Sequence, residues 1–174
     1  VNKQLINYRD YTHLVSKICR DITFSNWKPS YVVGITRGGL LPAVMISHWL
    51  GVPMKSLDVS LRDGGETVSN FGMAEDAYGY KGEIGEQAAP NILIIDDIND
   101  TGATFNWIMK DWESICLPGD ARWDHVWNQN VKFAVVVDNL ASKCNVPMDF
   151  VGMEVNKAEQ DVWIEFPYEE WWTK

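Results

Sequence analysis

The stretch Asn91-Ile92-Leu93-Ile94-Ile95-Asp96-Asp97-Ile98-Asn99-Asp100-Thr101-Gly102-Ala103-Thr104 decides the fold. Its unbroken apolar run, Ile92 to Ile95, predicts a strand buried on both faces, as strands of a parallel sheet are. The run then delivers two adjacent carboxylates, Asp96 and Asp97, a third at Asp100, and a small hydroxyl-bearing turn. Beyond the turn, Phe105, Ile108, Met109 and Trp112 recur at i, i+3, i+4 and i+7, so the chain is predicted to enter an amphipathic helix. A strand, an acidic tip, a phosphate-sized turn and a helix together describe a ligand site.

The turn has the parts an anion needs. Asp100 or Thr101 can cap the helix, Gly102 lets backbone approach a ligand closely, and the first helical amides point outward at the positive end of the helix. Each charge-assisted hydrogen bond contributes roughly 1.5 to 3 kcal/mol. Several amides with the hydroxyls of Thr101 and Thr104 therefore suffice to hold a phosphate without a lysine. Ionised Asp96 and Asp97 only accept hydrogen bonds, which suits the donating hydroxyls of a sugar diol. A hard cation such as magnesium would relieve their mutual repulsion.

Working outward, Tyr31 to Ile35 reads as a second buried strand and Thr36-Arg37-Gly38-Gly39 as a tight loop. Leu40 to Leu50 reads as a helix stopped by Gly51, with Pro53 beyond. This is a second strand-to-helix cradle. Its two glycines permit backbone geometry closed to other residues, and Arg37 offers a planar fork of donors for a diphosphate. Elsewhere Leu14, Val15, Ile18, Cys19 and Ile22 give a first helix its apolar face. Leu57, Val59 and Leu61 alternate as a strand, and Phe133 to Val137 forms another buried strand. The order α, β, α, β, loop, β, α, β, followed by an irregular C-terminal part, predicts a parallel sheet with right-handed crossovers. Ligands then gather at the carboxyl ends of the strands, where both loops lie. The tryptophan-rich stretch 112–130 looks like an insertion that is either buried packing or an interaction surface.

Composition narrows the classes. The 174 residues are 46% hydrophobic and suit a single domain spanning 1–174. A net charge of −9 opposes a nucleic-acid polymer as partner, so positive groups must be concentrated locally to hold an anionic small molecule. No apolar run reaches a membrane span and the polar opening Val1 to Gln4 is unlike a signal peptide, so a cytoplasmic protein is expected. Cys19, Cys116 and Cys144, like His13, His48 and His125, are scattered without metal-ligand or triad spacing.

Ile92 to Thr104 resembles the phosphoribosyl-diphosphate signature of type I phosphoribosyltransferases: apolar strand, two acids, two spacers, then Asp-Thr-Gly-x-Thr. The resemblance implies that Asp96 and Asp97 hold the ribose hydroxyls with magnesium, and that Asp100, Thr101, Gly102, Ala103 and Thr104 surround the 5-phosphate. Thr36 to Gly39 is similar to the family's pyrophosphate loop, in which a cis peptide often precedes the arginine. Arg37-Gly38-Gly39-Leu40-Leu41-Pro42 and Asp161 to Pro167 resemble the xanthine-guanine group, which places Trp163 and Ile164 at the purine. The fold so implied is a Rossmann-like parallel sheet flanked by helices, with a small hood built from the two ends of the chain. Hood elements are expected at about 138–170 and a flexible loop at about 62–89. The implied activity transfers 5-phosphoribose from phosphoribosyl diphosphate to a purine, with Asp100 managing the proton of the base and Arg37 taking the diphosphate. By the same analogy the protein is a homodimer or homotetramer.

One departure concerns the base. Purine-specific relatives carry a lysine after the strand corresponding to Lys132–Val137, where this chain has Asp138-Asn139-Leu140. The Asn139 amide can donate or accept, and Lys143 lies near in sequence. Trp163 offers an indole face for stacking, with core packing as the alternative role. The 62–89 stretch, with six glycines, reads as a lid that excludes water or as simple disorder, and its Arg62 as a diphosphate ligand or a solvated charge. Two other classes compete. One is a non-catalytic sensor of phosphoribosyl diphosphate on the same fold; the other is a magnesium-dependent phosphatase or receiver-like domain built on Asp96 and Asp97. An EF-hand loop starting at Asp97 is excluded because its twelfth position is Ile108.

Overall fold

A computed structural model describes residues 1–59, 68–79 and 89–171. The elements in chain order are β1 (Asn2–Leu5), α1 (Tyr8–Phe24), β2 (Tyr31–Ile35), α2 (Leu40–Leu50), β3 (Met54–Leu57), α3 (Val68–Tyr78), β4 (Ile92–Asn99), α4 (Ala103–Ile115), β5 (Val131–Asn139), β6 (Phe150–Val155) and β7 (Val162–Glu165). Short 3₁₀ helices occupy Ala121–His125 and Pro167–Trp171.

Five strands form one parallel sheet in the order β3-β2-β4-β5-β6. Because side chains alternate along a strand, each central strand feeds two cores. Val32, Leu93, Ile95, Ala134 and Val136 face α1 and α2, packing with Val15, Ile18, Ile22 and Ile46. Val33, Ile92, Ile94, Phe133 and Val135 face the other way, against Met73 and Ala77 of α3 and Phe105, Ile108 and Trp112 of α4. The uninterrupted apolar runs of β2, β4 and β5 are the sequence trace of this double coverage. Trp112, Trp123 and Trp127 pack among themselves and on Phe133, so the tryptophan-rich stretch serves the core.

Parallel strands all end on one edge, and the Thr36 turn and the acidic turn after β4 both lie on it. Pairing of Gly34 with Ile95 sets the Thr36 turn beside the β4 tip, and pairing of Asn99 with Asp138 sets Asn139 on its other side. A separate two-stranded parallel sheet pairs β1 with β7, tying the first residues to the last elements as a hood. Asn7 then starts α1 by accepting the Asp10 N–H at 2.8 Å.

Three sequence expectations are corrected. The strand expected over Leu57, Val59 and Leu61 is instead β3, Met54–Leu57, whose register is set by pairing with Val32–Ile35 on β2. As an edge strand it exposes Lys55 and Ser56, so hydropathy does not mark it. Within the 62–89 stretch, Val68–Tyr78 is a helix whose Met73, Ala74 and Ala77 are buried against the α4 side; residues 60–67 and 80–88, and with them Arg62, lie outside the described residues. The C-terminal part expected to be irregular contains β6 and β7. No described helix is long and apolar enough to cross a membrane.

Candidate active site

At the tip of β4 the two acids are held differently. Asp96 Oδ1 accepts the Asp97 N–H at 2.9 Å, while Asp97 Oδ1 accepts the Ile98 N–H at 2.8 Å and its Oδ2 accepts the Tyr168 hydroxyl at 2.8 Å. Burial, and then the neighbouring charge of Asp97, push the Asp96 carboxyl well above the ordinary carboxylate range. The Tyr168 hydroxyl is itself pushed far up by burial and by Asp97, so it stays a donor. Tyr11 from α1 lies beside this cluster with its hydroxyl buried and without a partner. Among the described residues no three His, Cys, Asp or Glu side chains gather to cage a metal.

The following turn wraps a cavity of about 180 Å³ lined by residues 96–105. Helix α4 starts at Ala103 with Gly102, at φ 87°, as its N-cap residue. This position is left-handed and crowded. A Cβ on Gly102 would stand 2.6 Å from Cys144 Cα, in backbone that Lys143 N–H ties to Thr101 O at 2.9 Å. The cap expected from Asp100 or Thr101 takes another form: Gly102 makes no side-chain cap, Thr101 Oγ1 accepts the Ala103 N–H at 3.2 Å, and Asp100 turns toward Lys157. Thr101, Gly102, Ala103 and Thr104 are among the residues lining the cavity, at the end of α4 where the first amides have no intrahelical partner.

The second turn carries a cis peptide between Thr36 and Arg37. Thr36 Oγ1 donates to the Asp58 carboxylate, which follows β3, and Arg37 is exposed at the mouth of an 890 Å³ cleft. That cleft is shared with Gly38, Asp97 and Tyr168. Gly38 lies directly against Asp97, since a Cβ there would overlap the carboxylate, and a Cβ on Gly39 would strike the Ile35 N of β2 at 2.7 Å. The two turns are therefore walls of one site.

On the far side of the acidic turn, Asn139 is 6% exposed and its amide is fully committed. Nδ2 donates to Asp100 O at 2.8 Å, and Oδ1 accepts the N–H groups of Ala141 at 3.1 Å and Lys157 at 3.0 Å. Lys157 reaches back to Asp100, Nζ to Oδ1 at 2.8 Å, and lies 5.8 Å from the ring centre of Trp163. Trp163 is 51% exposed on β7, whereas its neighbour Ile164 points into the α1 side of the core.

The sequence profile of the phosphoribosyl transferase domain matches residues 2–170. The chain belongs to the phosphoribosyl transferase family. It is an enzyme of that transferase class with the family's parallel α/β sheet. Among solved structures it is similar to a purine phosphoribosyltransferase of Pyrococcus horikoshii, at 23% identity and TM-score 0.66 over 100% of this chain and 99% of that one. It is also similar to the xanthine-guanine-hypoxanthine phosphoribosyltransferase of Helicobacter pylori, at 14% identity and TM-score 0.64 over 97% and 94%. A protein of Neisseria gonorrhoeae solved with bound ppGpp matches at 18% identity and TM-score 0.65 over 97% and 89%.

In this phosphoribosyltransferase the residues expected from the sequence gather along one sheet edge: Thr36 to Gly39, Asp96, Asp97 and Asp100 to Thr104, with Asn139 beneath and Trp163 on the hood. Four participants escaped sequence reasoning. Lys157 sits in a polar turn, Tyr168 and Tyr11 come from opposite ends of the chain, and Asp58 follows a weakly marked edge strand. Lys143, near in sequence, contributes backbone to the turn rather than an ammonium to Asp100. Only the proximity of Asn139 to the turn after β6 brings Lys157 into view.

Proposed function

We propose that this phosphoribosyltransferase moves 5-phosphoribose from phosphoribosyl diphosphate to a purine nitrogen, producing a nucleoside monophosphate and pyrophosphate. One observation carries the reading: Gly38 rests against the Asp97 carboxylate, so the arginine turn and the acidic turn face a single cleft. A sugar with phosphates at both ends needs two anion cradles one ribose apart. A phosphatase or receiver-like use of Asp96 and Asp97 leaves the Arg37 turn without a reason to be there.

The roles follow from the chemistry of each group. Amides and hydroxyls of the Thr101–Thr104 turn take the 5-phosphate, and Asp96 and Asp97 accept hydrogen bonds from the ribose diol. Arg37 and the amide of Gly38 take the departing diphosphate, while the Gly39 N–H is given to Ile35 O at 2.8 Å and holds the turn. Asp100 accepts or steers the proton of the attacking nitrogen. Trp163 presents an indole face for the base.

Magnesium fits these residues. Burial and the charge of Asp97 push the Asp96 carboxyl upward, a repulsion that a nearby cation would offset, and two carboxylates suit an ion that keeps waters and substrate oxygens rather than one needing a full protein cage. Asp96 and Asp97 would hold it, and when bound it supplies positive charge to offset that developing on the leaving diphosphate.

The test is a product assay with phosphoribosyl diphosphate, magnesium and a panel of guanine, hypoxanthine, xanthine, adenine, orotate and uracil. Nucleotide formed with purines alone supports the reading. Nucleotide formed only with a pyrimidine, or tight binding of phosphoribosyl diphosphate with no turnover on any base, refutes it.

A further inference from the structure

Tyr168 is delivered to the acidic pair by a rigid platform. Its ring stacks on Phe166, with centres 5.7 Å apart and planes 5° from parallel, and meets the Tyr11 ring edge-on at 6.0 Å. Tyr11 in turn meets Phe166 edge-on at 6.2 Å. Tyr11 belongs to α1 and is buried together with Phe166, so these rings clamp the C-terminal hood to the first helix. Glu169 closes the turn that carries Tyr168: its Oε2 accepts the Phe166 N–H at 2.8 Å, and its own N–H donates to Phe166 O at 3.0 Å. The hydroxyl fixed in this way donates to Asp97 Oδ2 at 2.8 Å, while Ile98 N–H holds Oδ1 at 2.8 Å.

Of the two acids, Asp97 is the one that faces the larger space. It lines both the 890 Å³ cleft and the 180 Å³ cavity, whereas Asp96 lines the smaller alone. The last torsion of an aspartate side chain is soft, so a single tether lets the carboxylate swing. Two tethers, one on each oxygen, hold its plane. An ionised carboxylate has about four lone-pair sites, so each tethered oxygen keeps one site for a ligand. We infer that Tyr168 is a positioning residue for phosphoribosyl diphosphate: from the hood, its hydroxyl fixes the Asp97 carboxylate, between the arginine turn and the acidic turn, in the orientation that receives the ribose diol. This rests on the sugar-diphosphate part of the reading above and holds whichever base is taken.

Tyr31→Phe is the matched control. Tyr31 donates its hydroxyl to Asp76 Oδ2 at 2.8 Å, the same bond to the same kind of group, but at the amino end of β2 and therefore on the opposite edge of the sheet. Phosphoribosyl diphosphate with magnesium is titrated calorimetrically into wild type, Tyr168→Phe and Tyr31→Phe, alongside urea unfolding and steady-state rates on a purine. Each variant loses one oxygen and keeps its ring, so both fold, with similar drops in unfolding midpoint. An untethered Asp97 that spends about a third to a tenth of its time in the receiving orientation raises the dissociation constant of Tyr168→Phe by about 3- to 10-fold. Tyr31→Phe binds as wild type does. In Tyr168→Phe the KM for the sugar diphosphate rises by the same factor, while kcat with both substrates saturating changes by less than about twofold. An unchanged dissociation constant in Tyr168→Phe, an equal loss in Tyr31→Phe, or a loss confined to kcat overturns the inference while leaving the transfer reading standing. A wild type that binds no phosphoribosyl diphosphate overturns that reading first, and this inference with it.

Discussion

Gly102→Ala isolates how closely the turn before α4 is packed. Gly102 has φ 87° and a Cβ on it would meet Cys144 backbone, with Cys144 Cα 2.6 Å away. Gly51 at φ 66° and Gly119 at φ 76° share the left-handed backbone, but a Cβ on either meets nothing within 4 Å. All three alanine variants incur the left-handed strain of about 1 to 2 kcal/mol. Gly102→Ala must in addition push away the 143–144 backbone, whose bond from Lys143 N–H to Thr101 O is 2.9 Å. Losing that bond costs about 0.5 to 1.5 kcal/mol, and the displaced contacts more, so the expected destabilisation is roughly 2 to 4 kcal/mol against about 1 to 2 for the controls. Urea unfolding of the three variants measures the difference, and titration with phosphoribosyl diphosphate reads the site. Gly102→Ala should weaken binding by at least about tenfold, the equivalent of 1.4 kcal/mol, while the controls bind as wild type does. A Gly102→Ala variant no less stable than Gly51→Ala or Gly119→Ala, with unaltered affinity, would refute the close-packing account.

Further outcomes follow from the same geometry. Asp100→Asn should lower kcat by about 10²-fold or more, the usual contribution of a positioned acid or base, with both substrates saturating; unchanged turnover removes it from the chemistry. Tyr168→Phe deletes the donor to Asp97 Oδ2 and should cost about 1.5 to 3 kcal/mol in thermal or urea unfolding, a cost that vanishes if Asp97 is replaced first. Asp96 holds its proton more tightly folded than unfolded, so its contribution to stability is complete below the ordinary value of 3.8 and is lost as pH rises through the elevated folded value. Asp96→Asn should therefore be more stable than wild type at neutral pH, by a margin that shrinks toward pH 4 at up to about 1.4 kcal/mol per unit, while losing affinity for the sugar diphosphate; a margin independent of pH would contradict the burial argument. Asn139→Ala leaves three backbone groups without their partners and should cost roughly 2 to 4 kcal/mol in urea unfolding, whereas a loss under 0.5 would show that water replaces the amide easily.

The strongly periodic elements were legible from the residues alone. Ile92–Ile95 and Tyr31–Ile35 are buried on both sides, so their apolar runs admit no polar exception, and α2 ends at Gly51 because that residue takes the left-handed C-cap that glycine favours. The two turns were legible because their chemistry is local: amides, hydroxyls and carboxylates within a few residues of a strand end. Edge and hood elements were not. Strand β3 exposes half its side chains and is defined only by hydrogen bonds to β2, and β1 exposes all of its side chains and exists by pairing with β7 across nearly the whole chain.

By itself, then, the order of residues determined a parallel sheet, two glycine-bearing turns at its carboxyl edge, and the acids and arginine they carry. Tertiary structure alone decided which groups converge on those turns: Tyr168 on Asp97, Gly38 beneath the same carboxylate, and Lys157 rather than Lys143 beside Asp100. The physical reason is that hydropathy and spacing encode burial and local backbone shape, whereas a lone lysine or tyrosine acquires its role from the neighbour that strand register brings within hydrogen-bonding distance.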